Sequence, residues 1–237
     1  MTETLILLGT AVSIALIHTI IGPDHYIPFI ALSKANNWAV KKTVFIVLLC
    51  GAGHVFGSVV LGFAGVALSA GVTSLIDIED IRGTIATYVL IAFGLVYTIY
   101  GIRCAVKNKT HTHTGIDGET VIHSHTFNDT DHNHNAKKSG ASRSAGRFWG
   151  LFIFFVLGPC EPLIPLLMYP AATMNIFTLV LVTLSFSVVT IGVMLLMTLL
   201  GLKGFKLIKA DKLERYAHAM AGCVIMLCGI SVLLLPI

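Results

Sequence analysis

Six apolar stretches, each long enough to cross about 30 Å of hydrocarbon, leave this chain little choice of fold. They cover residues 4–32, 43–69, 83–102, 148–170, 175–202 and 216–237. The first is interrupted at Gly22-Pro23-Asp24-His25, the fourth at Gly158-Pro159-Cys160-Glu161-Pro162, and the second carries no charged residue. Only 12% of the residues are charged, about half the share of a soluble domain. In water such a surface would be one large apolar patch, whereas a bilayer requires it. The expected fold is an all-α membrane protein of six transmembrane helices lying in the lipid bilayer. No basic segment precedes the first stretch, which is therefore expected to be a retained helix and not a cleaved signal.

Charge sets the expected orientation. Loops after the first, third and fifth stretches hold 15 of the 16 Lys and Arg, and the opposite face holds only Arg82. The positive-inside rule makes the crowded face cytoplasmic, in a plasma (inner) membrane with both termini outside. Glu3, Asp77, Glu79 and Asp80 then fall on the outer face, as a weakly cation-attracting surface or simply as solvated loop ends. A net charge of +4 is accounted for by topology and does not call for nucleic acid.

The two interruptions are alike. Gly22-Pro23-Asp24-His25-Tyr26-Ile27-Pro28 parallels Gly158-Pro159-Cys160-Glu161-Pro162-Leu163-Ile164-Pro165 with one residue added. Each opens a block of three helices, so the blocks enter the membrane from opposite sides. That is the pattern of two inverted three-helix repeats, with helices 1 and 4 broken at Gly-Pro. The organisation expected is residues 1–104 for the first repeat, 105–147 for a polar cytoplasmic loop and 148–237 for the second repeat. Proline removes a backbone donor, and in lipid such a break persists only where it is buried in protein or lines a cavity. Gly51, Gly53, Gly57 and Gly62 give the second helix small faces for close packing.

Few ionisable groups lie within the stretches, and a charge there costs about 2.5–3.5 kcal/mol even on the lenient insertion scale. His18, Asp24, His25, His54 and Glu161 are therefore expected to face one another or a substrate, with Cys160 as a softer neighbour. Imidazole and carboxylate together suit nickel, cobalt, zinc or manganese. A dication would neutralise two buried carboxylates, and protons could replace it as counter-ions when it leaves. Cys50, Cys104, Cys223 and Cys228 read as small buried hydrophobes, with no CxxC pair and no disulfide framework. His218 is expected to pair with Glu214. Nothing in the pattern points to an enzyme or a resident cofactor, and a homo-oligomer is left open.

Residues 107–147 are polar and expected to lack fixed structure. They contain His111-Thr-His113, His123-Ser-His125 and His132-Asn-His134. Short His-rich tracts bind metals, so this loop is expected to collect, buffer or sense a metal cation.

The stretch His18-Thr-Ile-Ile-Gly-Pro-Asp24-His25 resembles the His-x4-Asp-His signature of nickel/cobalt transporters and of related UreH-like and NicO-type membrane proteins, with five residues in place of four before Asp24. Gly53-His54 resembles a Gly-His element of the same superfamily. The resemblance implies a nickel or cobalt transporter with His18, Asp24, His25 and His54 as ligands, in the efflux direction, with uptake as the alternative. Two other readings compete. Gly158-Pro159-Cys160 resembles the Pro-Cys helix break of membrane thiol–disulfide electron carriers, which use a cysteine in each half. A small-anion exporter is the other, disfavoured by the buried carboxylates.

Overall fold

Pro23 divides the first apolar stretch as expected. In the computed structural model, which describes residues 2–67, 72–107, 111–114, 120–123, 139–158, 160, 162–172, 176–206 and 216–234, helix α1 spans Thr2–Ile21. It stops at Gly22 because a residue before proline is pushed out of helical backbone. Gly22 is extended at φ −74°, ψ 97°, although its N–H still donates to the His18 carbonyl at 3.0 Å. A single 3-10 turn, Pro23–His25, follows with proline at its start, where no N–H is needed. Helix α2 then runs Ile27–Ala35. It ends at Asn36, and Asn37 takes the left-handed φ of 49° that asparagine tolerates better than most residues.

Helix α3 is Val40–Ala67 and α4 is Val72–Lys107. The latter starts well before the expected residue 83, so Glu79 and Arg82 are helical and not loop ends, and Glu79 is buried. The expected fourth span is two pieces, α5 (Ser139–Leu157) and the ten-residue α6 (Leu163–Ala172). Helices α7 (Ile176–Lys206) and α8 (Ala217–Leu234) complete the fold. Among the described residues five helices, not six, are long and apolar enough to cross a membrane: Thr2–Ile21, Val40–Ala64, Ile76–Val106, Ile176–Gly204 and Ala217–Leu234. The apolar part of α5, Phe148–Leu157, is too short alone. Large side chains such as Phe56, Val96, Phe177 and Val188 are exposed, as a lipid-facing surface requires.

Residues 107–147 are not wholly irregular. Strand β1 (His111–Thr114) pairs antiparallel with β2 (Thr120–His123), His111 opposite His123. His125, His132 and His134 lie outside the described residues.

Two apolar clusters hold the helices. One gathers Phe29, Val47, Leu90, Phe155, Met194 and Ile225 from α2, α3, α4, α5, α7 and α8, with Phe29 stacked on Phe155 at 4.6 Å. The other joins Ala11 and Ala15 of α1 to Cys160, Leu163, Leu167 and Phe186. Helices α4 and α8 touch backbone to backbone: a Cβ on Gly94 would lie 2.5 Å from the Met226 nitrogen, a contact only glycine permits. The small face of α3 works similarly, because a Cβ on Gly53 would stand 2.8 Å from Val156 of α5.

Candidate functional site

Three histidines meet beside the two breaks. His18 sits in the last turn of α1, His25 ends the 3-10 turn, and His54 lies in mid-α3. Ring centroids are 4.8 Å apart for His18 and His25 and 5.1 Å for His25 and His54, both edge-on. His25 and His54 are each only 3% exposed. Cys160, fully buried, joins them from the second break. One ring nitrogen each of His18 and His54 and the Cys160 sulfur all lie within 4.8 Å of one another.

Hydrogen bonds assign the tautomers. His54 Nδ1 lies 3.3 Å from the Phe155 carbonyl. His25 Nδ1 lies 3.2 Å from both the Gly22 carbonyl and Asp24 Oδ1. These partners are acceptors when the carboxylate is ionised, so each Nδ1 is the donor and Nε2 keeps its lone pair. Nε2 of His18, His25 and His54 is buried with no hydrogen-bond partner. Such a group costs about 1–3 kcal/mol if nothing meets it. Gly22 is needed for this fold-back, since a Cβ there would stand 2.5 Å from His25 Nδ1.

A different set of contacts builds the second break. Arg82 of α4 donates through Nε to the Leu157 carbonyl at 3.0 Å. Its Nη2 donates to the Gly158 carbonyl at 2.8 Å and to Ser58 Oγ at 3.1 Å. Ser58 Oγ also accepts from the Cys160 N–H at 3.0 Å. The guanidinium is balanced by Glu79, Nη1 to Oε2 3.2 Å. One arginine thus satisfies carbonyls that the end of α5 leaves unpaired, and one serine fastens the backbone of Cys160.

A cavity of about 400 Å³ opens onto the cluster, lined by His18, Gly22, Asp24, His25, His54, Thr87, Phe155 and Gly158 among others. A thiol beside unprotonated ring nitrogens can lose its proton to them, and the same donor atoms can hold a soft cation.

Of the residues expected from the sequence, the fold brings together His18, Asp24, His25, His54 and Cys160. Glu161 lies outside the described residues. His218 stands apart, bonded through Nδ1 to the Tyr97 hydroxyl at 2.8 Å, and that hydroxyl also accepts from Asn36 at 3.0 Å. Its expected partner Glu214 lies outside the described residues. Ser58, Glu79 and Arg82 were not foreseen as part of the site. The i,i+3 spacing of Glu79 and Arg82 is the signal that could have placed them on one helix face.

The family described as cytochrome c biogenesis protein transmembrane region has a model that matches residues 27–231. No curated protein and no solved structure matches. The matched family is a different one from the nickel/cobalt transporters. It overturns both the resemblance drawn from His18, Asp24, His25 and His54 and the nickel or cobalt transport it implied. Those motifs are short, and the match extends from the start of α2 to within a few residues of the end of α8. Of the competing readings, the thiol–disulfide carrier suggested by Gly158-Pro159-Cys160 is the one this family favours.

Proposed function

The chain belongs to the cytochrome c biogenesis protein transmembrane region family, and on that footing we propose that it is a membrane-embedded thiol carrier, passing reducing equivalents through Cys160. One observation carries the reading: the single thiol at the second break is buried against two imidazoles, with Cys160 Sγ and the ring nitrogens of His18 and His54 within 4.8 Å.

The first break offers Asp24 and His25 where a second thiol would be needed, and no disulfide joins any two of Cys50, Cys104, Cys160, Cys223 and Cys228. Cys160 therefore works alone. Its proton passes to His18 or His54, and the thiolate attacks a substrate disulfide. A mixed disulfide forms and one substrate thiolate leaves. A thiolate of a reduced dithiol donor then attacks the Cys160 sulfur and releases the second substrate thiolate. The donor's other thiolate closes the donor disulfide and frees Cys160. Two electrons have then moved from donor to substrate. Cys160 is fully buried, so the cycle requires the second break to open.

The same reading includes two inverted three-helix halves, residues 1–104 and 148–237, joined by the polar segment 105–147. The excess of Lys and Arg supports a cytoplasmic position for that segment and outside termini. The protein acts as a carrier and not as an enzyme.

The test is electron transfer across proteoliposomes, with a reduced dithiol protein outside and a disulfide peptide inside. Wild type is expected to reduce the enclosed peptide and Cys160→Ser to leave it oxidised. Equal rates for the two proteins would overturn the reading.

A further inference from the structure

We propose that His18, His54 and Cys160 form a binding site for one soft monovalent metal cation, of copper(I) chemistry, within the membrane. The inference goes beyond the thiol-carrier reading and does not depend on it, because a site can hold a metal whether or not its sulfur exchanges disulfides.

Geometry comes first. Donor atoms held about 2.0–2.3 Å from one ion stand roughly 3.5 Å from one another. The three donors here are within 4.8 Å already, so small side-chain rotations close the set. The ligands are also partly prepared. The Phe155 carbonyl accepts a hydrogen bond from His54 Nδ1–H at 3.3 Å, which is the outer contact that turns the opposite nitrogen of a ligating histidine inward. Ser58 holds the Cys160 backbone at 3.0 Å. Nε2 of His18 and of His54 is buried with no hydrogen-bond partner, and a cation supplies one.

Donor type and charge choose the ion. Thiolate selects soft cations, and imidazole accepts copper and zinc equally well. Two neutral imidazoles and one thiolate carry a single negative charge. Among these three ligands a monovalent cation brings the charge to zero, which a dry interior tolerates. Asp24 is occupied by His25 at 3.2 Å and does not belong to the ligand set. Since His18 comes from α1 and Cys160 from the second break, a bound ion would tie the two breaks together and cover the thiol.

The experiment is titration of the full-length reduced protein, purified without oxygen, with copper(I) against a competing chelator, and in parallel with zinc. Alkylation of each cysteine is read by peptide mass spectrometry. X-ray absorption of the loaded protein reports sulfur around the metal; residues 111–134 hold histidines but no cysteine and cannot mimic that signal. The expected result is one copper(I) with one sulfur ligand and alkylation of Cys160 slower than in the metal-free protein. Cys160→Ser and His54→Gln should each weaken binding at least about tenfold, while His218→Gln should not. Copper(I) bound without sulfur, Cys160 unprotected, or zinc bound at this site in preference to copper(I) would overturn the proposal. Should the variants fail to fold, protection in wild type still decides. Loss of metal binding with intact disulfide exchange sinks this inference alone, and the reverse result sinks only the thiol-carrier reading.

Discussion

The two helix breaks look alike in sequence but are held by different means. Contacts within a few residues fasten the first: His25 Nδ1 bonds to the Gly22 carbonyl and to Asp24 next door, and the Tyr26 N–H returns to Pro23. The second is fastened from a distance. Its carbonyls at Leu157 and Gly158 are met by Arg82, and its Cys160 N–H by Ser58, residues 75 and 102 positions away. A locally closed break keeps its shape whatever its neighbours do. A break held by two other helices changes shape when those helices shift. The imidazole side is thus preorganised, and the thiol side is the one able to open.

Removing the chemistry from the movable side should have the largest effect. Cys160→Ser is expected to abolish disulfide exchange, a fall of at least about 100-fold, with a modest drop in melting temperature because a smaller, more polar hydroxyl replaces a fully buried thiol. The same assay on Asp24→Asn should retain most of the rate. A rate for Cys160→Ser above that of Asp24→Asn would reverse the roles assigned to the breaks.

Next comes the clamp. Arg82→Ala strands Glu79, a carboxylate only 1% exposed, and leaves two carbonyls unmet. Losing one partner of a buried ion pair costs about 3–5 kcal/mol. Denaturation in mixed detergent should show that loss, together with faster alkylation of Cys160. Adding Glu79→Gln should recover part of the stability without slowing the alkylation. If Cys160 alkylates at the wild-type rate in Arg82→Ala, the second break is not held by α4.

How far the sequence reveals this comparison depends on distance along the chain. Pro23 and its 3-10 turn were legible because proline acts on its immediate neighbours. So was the gathering of His18, Asp24, His25, His54 and Cys160, since polar groups in apolar stretches have few places to go. Glu79 and Arg82 were misplaced because charge within a few residues of an apolar stretch reads as a loop end. Only tertiary packing shows that α4 begins at Val72 and carries them inward. The fourth stretch is interrupted beyond Leu157, as its Gly-Pro pair foretells, but the apolar part of α5, Phe148–Leu157, is too short to count as a span by itself. The short motifs around His18 and His54 point to a metal transporter and the Pro-Cys break to a thiol carrier, and the family match over residues 27–231 sides with the second.

A smaller effect separates the acid of the first break from its base. Asp24→Asn keeps the shape but weakens a charge-assisted bond to His25, worth about 1.5–3 kcal/mol for a hydrogen bond to a charged group. Stability should fall by no more than that, less than for Arg82→Ala. His25→Ala should fall further than Asp24→Asn, because it also removes an imidazole from the ring cluster. Equal losses for Asp24→Asn and Arg82→Ala would mean that the two breaks are held equally tightly.

The finest distinction comes from adding one methyl group to each break. At Gly22 a Cβ would stand 2.5 Å from His25 Nδ1 and 3.0 Å from Asp24 Oδ1, so Gly22→Ala has to push the imidazole out of its bond with the Gly22 carbonyl. At Gly158 the nearest atoms are the Phe154 carbonyl at 3.2 Å and His54 Nδ1 at 3.3 Å, a crowding that a few tenths of an ångström relieve. Overpacking costs about 1–3 kcal/mol, and Gly22→Ala belongs at the upper end of that range with Gly158→Ala at or below the lower. Because the hydrogen bonds described for the first break run among residues 18–26, its loss should appear as local exchange of the Tyr26 amide as well as in global stability. Amide exchange by mass spectrometry over residues 22–30 separates the cases: faster exchange in Gly22→Ala but not in Gly158→Ala fits a locally closed first break, and matched exchange in the two variants would show that both breaks share one support.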